Sequence, residues 1–249
     1  LNEGEGGVLS LLNDKEMSVR LQAMSLLHVA LLYYPSVFGH TTVTNSLLPA
    51  IYSAVTMDAS LIRTVDFGPF KHRVDDGLPL RRAGFRALGA LVRAAAAVPD
   101  GGAALSLANP GQYLGKLAAG LADSEADVAM LAWRVLQSIA SSSAKASLLE
   151  IADTLPPLIL NFIKGHLRAA KGADTAAERA RDVLRECVRG LHALTLIPGV
   201  ERCTKFVQFF ERVKQTSLLK SMLKDIADAE AGRTGGSEAG ARGNVRRGG

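Results

Sequence analysis

The chain has 249 residues, 48% of them hydrophobic but only 5% aromatic, with Ala and Leu the commonest types. That is enough apolar surface for one core or one continuous array, and the composition suits helices packed closely on helices rather than a sandwich or barrel. The formal charge is +5, but residues 231–249 hold Arg233, Arg242, Arg246 and Arg247 against Glu238 alone, so three of those charges belong to the tail and the body is nearly neutral.

Taken in order, a short helix over Leu9–Leu12 precedes a longer one whose apolar positions are Val19, Ala23, Leu26, Leu27, Ala30, Leu31 and Tyr34, at the spacing of one buried helical face. No Asp, Glu, Lys or Arg occurs from Leu21 to Met57. The apolar part ends at Pro35, contains Gln22, Ser25 and His28, and is shorter than the roughly 20 residues a membrane span needs. It reads as a deeply buried helix, followed by another over Ser46–Val55.

From Leu61 to Leu80 the helical text is interrupted. Leu61, Ile62, Thr64, Val65 and Phe67 supply the β-branched and aromatic residues of one strand, and Phe70, His72 and Val74 alternate along a second. Gly68 tolerates the angles of a tight reversal and Pro69 fixes its own φ, so a β-hairpin is expected over 60–76. Asp75, Asp76 and Gly77 end it, with Asp76 placed to cap the next helix near Pro79. Because successive strand residues face opposite ways, Ile62, Val65, Phe67 and Phe70 are not all expected to pack on one scaffold.

Three further stripes follow: Leu80, Ala83, Ala87, Leu88, Leu91, Val92; then Val128, Leu131, Ala132, Val135, Leu136, Ile139, Ala140; then Ala180, Val183, Leu184, Cys187, Val188, Leu191, Leu194. Helices over Tyr113–Leu121 and Leu148–Ile163 precede the last two. The stripes start 61, 48 and 52 residues apart. Without about 15 residues of hairpin the first interval is about 46, close to the roughly 40–47 of HEAT helix pairs. An acid stands five positions before the stripes at Asp14, Asp75 and Asp123, and Arg20 and Arg81 follow the first two stripe starts. In HEAT-like pairs such an acid and base join adjacent turns of the stack; as local features they are an N-cap and a solvated charge. The expected fold is all-α, a HEAT-type armadillo-like solenoid over 1–230 with one protruding hairpin. Phe206, Phe210, Val213, Leu218, Leu219, Met222, Leu223 and Ile226 make two capping helices over 200–230, and 231–249 reads as a disordered Gly/Arg-rich tail.

Chemistry is scarce. Cys187 and His192 lie five residues apart on one helix and point apart, with Cys187 in the apolar stripe. His28, His40, His166 and His192 lack metal spacing, Asp75 and Asp76 diverge as neighbours do, and Gly101–Gly102 after Pro99 has no phosphate-loop Lys. No active site, cofactor or metal is expected. His166, Arg168 and Lys171 form a small basic patch, and a tail without interleaved aromatics is poor support for nucleic-acid binding. Cys187 and Cys203, with no secretory leader in view, suggest a reducing compartment, and the start at Leu1 suggests a piece of a longer chain.

GPFKHRVDDGLPLRRAGF, Gly68–Phe85, closely resembles the signature of the cullin-associated, neddylation-dissociated exchange factors, in their C-terminal HEAT-repeat region, the TATA-binding-protein-interacting domain. LIRTVDFGPFKH (Leu61–His72) and LHALTLIPGVER (Leu191–Arg202) carry the resemblance further, over roughly residues 1–215. It implies a non-catalytic protein that binds the N-terminal end of a cullin and competes there, through the hairpin, with the Skp-type adaptor. Such proteins exchange substrate-receptor modules on SCF-type cullin-RING ubiquitin ligases in cytoplasm and nucleus. The implied contacts are Leu61, Ile62, Arg63, Thr64, Val65, Phe67, Gly68, Pro69, Phe70, Lys71, His72, Val74, Asp75 and Asp76, with Phe67, Pro69, Phe70, Lys71 and His72 at the tip. The family's N-terminal repeats, which reach the cullin's neddylation lysine, have no match here, so this chain alone is not expected to mask that lysine; either it is a fragment or it works beside a separate N-terminal half. The alternative is a general scaffold that takes a peptide or helix in its concave groove.

Overall fold

The structure, a computed structural model, describes residues 7, 9–38, 42–68, 70–97 and 110–241. Its elements are α1 (Met17–Tyr33), α2 (Leu48–Val55), β1 (Ile62–Phe67), β2 (Phe70–Asp75), α3 (Leu78–Ala97), α4 (Pro110–Leu121), α5 (Ala126–Ala140), α6 (Leu149–Ala152), α7 (Leu155–Ala169), α8 (Thr175–Thr195), α9 (Thr204–Gln215) and α10 (Ser217–Ala241). Helices pair antiparallel along the chain: a 3₁₀ turn over Ser10–Asn13 on α1, α2 on α3, α4 on α5, α7 on α8 and α9 on α10. The second members α1, α3, α5, α8 and α10 stack one on the next, and α2, α4, α7 and α9 form the other layer. This is the all-α, HEAT-type solenoid the periodicity predicts. Its core is one strip between the layers, with Leu88, Leu136 and Val188, each eight residues from the start of its stripe, all buried.

The sequence expectation fails in four places, each for a physical reason. Ala23, Leu27 and Leu31 of α1 are buried, but Leu26, Val29, Leu32, Tyr33 and Tyr34 are exposed, so this helix is not deeply buried. Among the described residues α1 has a stacking neighbour, α3, on one side only. The helix expected over Leu148–Ile163 is broken: the helical turns over Ser143–Ala152 and the helix Leu155–Ala169 meet at 83°. Pro156 and Pro157 sit in the first turn of α7, where a missing N–H is harmless; in a continuous helix they would remove bonds to the preceding turn. At the C-terminus α10 runs on to Ala241, so the boundary drawn at 231 falls inside a helix; residues 242–249 lie outside the described residues. Extending a nucleated helix adds one hydrogen bond per residue fixed, which composition alone does not register. Finally, Asp76, expected to cap α3, pairs instead with Arg63, and it is Asp75 that closes the turn before the helix, by accepting from the Gly77 N–H.

Asp75 belongs to a recurring device. Asp14, Asp75 and Asp123 each accept a hydrogen bond from the backbone N–H two residues on: Glu16 at 2.8 Å, Gly77 at 2.9 Å and Glu125 at 2.9 Å. The turn leading into each second helix is thereby fixed by its own aspartate. Arg81, 2% exposed, then reaches from α3 to Asp75 and across to Asp123 of the following pair. Adjacent repeats are joined through this cation.

Candidate functional site

The hairpin is a 3₁₀ turn over Ala59–Leu61 followed by six paired residues, with Ile62 opposite Asp75 and Phe67 opposite Phe70. That register leaves a two-residue reversal, which forces Gly68 to φ +66°, a conformation a Cβ would strain. Pro69 lies outside the described residues. The base is anchored by polar contacts. Arg63 Nε meets Asp76 Oδ2 at 2.7 Å, the Asp76 N–H donates to Leu61 O at 3.0 Å, and Asp75 is held by Arg81 at 2.6 Å. The hydrogen bond and charge of Asp76 raise the pKa of Arg63 above its ordinary value.

Burial falls from base to tip. Leu61, Ile62, Val65, Val74 and Asp75 are half-buried, whereas Arg63, Thr64, Gly68, Phe70, Lys71, His72, Arg73 and Asp76 are exposed, Phe70 at 68%. Neither strand makes more than a glancing contact with a helix. A lone two-stranded ribbon is marginally stable, so these base contacts carry the support that a sheet would otherwise give.

Register sorts the residues into two faces, since residues directly opposite in an antiparallel pair share a side. Thr64 opposite Arg73 and Asp66 opposite Lys71 make a polar face that also takes Ile62 and Asp75. Val65 opposite His72, Arg63 opposite Val74, and the Phe67–Phe70 position make the other. Of the apolar residues expected to divide between faces, Ile62 therefore stands on the polar side and Val65 and Phe70 on the other. Arg73 and Asp66, absent from the predicted site, stand on that polar face; strict alternation from Thr64 would have found them.

Elsewhere, the cysteine and histidine side chains predicted to lack catalytic partners are placed as follows. Cys187 is fully buried, and burial pushes its thiol pKa far above the usual value. His192 turns to Glu230, with Nε2 3.3 Å from Oε2. His166 uses Nδ1 on Phe162 O of its own helix at 2.9 Å. Among the described residues no cluster of three His, Cys, Asp or Glu is placed to hold a metal ion. His40, Pro99, Gly101 and Gly102 lie outside the described residues.

Comparison with known proteins matches residues 41–214 to a family described as TIP120, TATA-binding protein interacting (TIP20). "Cullin-associated NEDD8-dissociated protein 1" of Dictyostelium discoideum is 28% identical over 219 residues, 88% of this chain and 17% of that protein. The Arabidopsis thaliana protein of that name is 33% identical over 201 residues, 80% of this chain and 15% of the relative. "Cullin-associated NEDD8-dissociated protein 1, C-terminal part" of Emericella nidulans is 49% identical over 41 residues, 16% of this chain and 4% of that protein. The chain thus spans about one-sixth of the length of the first two relatives. With a helical array matched on both sides of the hairpin, this chain belongs to the TATA-binding protein interacting (TIP120) family.

Proposed function

We propose that this chain is a non-catalytic cullin-binding region that acts in the assembly and exchange of substrate-receptor modules on SCF-type ubiquitin ligases. The hairpin occupies the N-terminal end of a cullin, on ground the Skp-type adaptor would otherwise use. Family membership and the names of the relatives support the cullin as partner. The observation that carries the hairpin's role is the exposure of its tip: Val65 and Phe70 share one face, half-buried at Val65, and Phe70 is 68% exposed. An exposed aromatic on a ribbon anchored only at its base suits insertion into a partner's surface.

No covalent step is involved. Cullin binding at an overlapping site loosens the adaptor, and by linkage the adaptor loosens this protein by the same factor. The relatives are about five times as long as this chain, and the outer apolar face of α1, with Leu26, Val29 and Tyr33, suits a further helix pair from an N-terminal part of such a protein, in cis or as a separate half. The site of action is cytoplasm and nucleus.

The test is capture of purified cullins by the intact chain, by a chain with 61–74 replaced by a Gly-Ser bridge, and by Phe70→Ala. Binding is expected to vanish with the bridge and to fall roughly 5- to 150-fold with Phe70→Ala, the 1–3 kcal/mol of an aromatic anchor. Thermal melting of Phe70→Ala should be unchanged, because that ring is in water before binding. Added Skp-type adaptor should displace the intact chain; simultaneous binding of both would rule out competition, and full binding by the bridged chain would remove the hairpin from the interface.

A further inference from the structure

The stacked second helices turn one side outward, and on three consecutive helices that side is marked by arginine. Beyond its first turn, α3 has two exposed residues up to Ala95, Arg86 and Arg93, seven apart and so on one side. Arg134 is the one exposed residue of α5. On α8, Arg185 and Arg189 are exposed four residues apart. Of their anionic neighbours Glu186 is buried, while Asp182, Asp225 and Glu230 are exposed. Glu186, 8% exposed, accepts from Arg134 Nε at 3.3 Å and Nη2 at 3.1 Å, from Arg189 Nη1 at 3.3 Å and from Gln137 Nε2 at 3.2 Å. Asp182 meets Arg185 at 2.6 Å, and Asp225 and Glu230 of α10 border the groove beside Arg185 and Arg189. Arg86 and Arg93 have no ion pair among the described residues.

A buried carboxylate that ties down two guanidinium groups from beneath fixes where their remaining donors lie. Further along, Arg86 and Arg93 are exposed and carry no ion pair among the described residues. We propose that this face is a docking surface for an acidic polypeptide segment laid across α3, α5 and α8. Packed helices lie about 8–10 Å apart, so the crossing is roughly 20 Å, the reach of about six extended residues. Carboxylates spaced along a polypeptide match guanidinium forks separated by one helix width. A nucleic acid suits the surface less well: Asp182 and Glu186 interrupt the positive field, and no exposed aromatic on α3, α5 or α8 offers a stacking platform. No hairpin residue takes part, so the surface stands whether or not the hairpin binds a cullin.

The probe is a fluorescein-labelled eight-residue Asp/Glu-rich peptide, titrated with the full chain by anisotropy in 50 mM salt. Arg86→Glu with Arg93→Glu is the test variant, since both side chains are exposed and neither has an ion pair among the described residues. Lys205→Glu, an exposed charge on α9, is the control. The double variant is expected to weaken binding at least 10-fold with unchanged melting, the control less than 2-fold, and 300 mM salt should weaken the wild type strongly. Equal loss in the control, no loss in the double variant, or no peptide binding at 50 mM salt overturns the proposal. So does a single-stranded 20-mer RNA that binds more tightly than the peptide and is lost in the same double variant, which would make the face a nucleic-acid surface.

Discussion

Arg81 Nη1 lies 2.6 Å from Asp75 Oδ2, at the point where the second hairpin strand ends and α3 begins. The same guanidinium gives Nε to Asp123 Oδ2 at 3.0 Å, and its side chain is 2% exposed. Burial alone would lower its pKa, but the hydrogen bonds and charges of Asp75 and Asp123 outweigh that and raise it. One buried cation thus serves the hairpin base and the junction between two repeats. Removing it leaves two carboxylates with little water, so Arg81→Ala should cost on the order of 3–5 kcal/mol, read as a lower urea midpoint. Amide exchange should quicken in both strands of the hairpin, because its anchor is lost. A variant that unfolds like wild type would mean that the pair is solvated and the hairpin supports itself.

Much of this was legible in the sequence because it rests on local chemistry. The period of the apolar stripes follows from helix geometry, Gly68 and Pro69 announce a reversal, and Asp75 with Arg81 stands at a spacing that Asp14 with Arg20 repeats. What sequence could not supply depends on neighbours in space. Leu26 and Leu27 are equally apolar, and only the absence of a second stacking neighbour leaves one exposed and the other buried. Asp75 and Asp76 are equally good caps by type, and the strand register decides which meets Arg81 and which meets Arg63. The arginine face escaped notice for the same reason: its residues are about 50 apart in sequence, and stacking brings them together.

That neighbour argument gives a paired test. Leu88 is fully buried between layers, while Leu26 is 53% exposed. Leu88→Asp buries an unpaired carboxylate and should cost several kcal/mol, or force uptake of a proton. Leu26→Asp should change stability by no more than about 0.5 kcal/mol, as surface substitutions do. Circular dichroism melting of both decides the matter. Similar losses in the two variants would mean that the outer side of α1 is covered.

Stability should depend on pH above the neutral range through Cys187. Its thiol is fully buried, and desolvation raises its pKa in the folded state well above the unfolded value of about 8.5. The folded form therefore keeps a proton that the unfolded chain gives up. The contribution is fully present below about pH 8.5 and is lost as pH rises, at about 1.4 kcal/mol per unit for this one group. Cys187→Ala lacks this dependence, so the stability difference between wild type and variant should shrink from pH 8 to pH 10 in denaturant titrations. A constant difference would show that the thiol ionises in place.

Close packing between α5 and α8 sets helix propensity against sterics at Gly190. Replacing a helix-interior glycine with alanine ordinarily stabilises by about 1 kcal/mol, and Gly165 of α7 is such a site, with nothing near the position of an added Cβ. At Gly190 an added Cβ would run into the six-membered ring of Trp133. That indole is fully buried and held by its Nε1–H, which donates to Leu121 O at 3.1 Å, so it has no room to retreat. Overpacking of this kind costs about 1–3 kcal/mol and exceeds the propensity gain. Gly190→Ala should therefore melt below wild type while Gly165→Ala melts slightly above it, and the double variant should show the two effects adding, since the sites share no packing partner. Equal stabilisation by both substitutions would place α5 and α8 farther apart than described and would weaken the case that their arginines form one face.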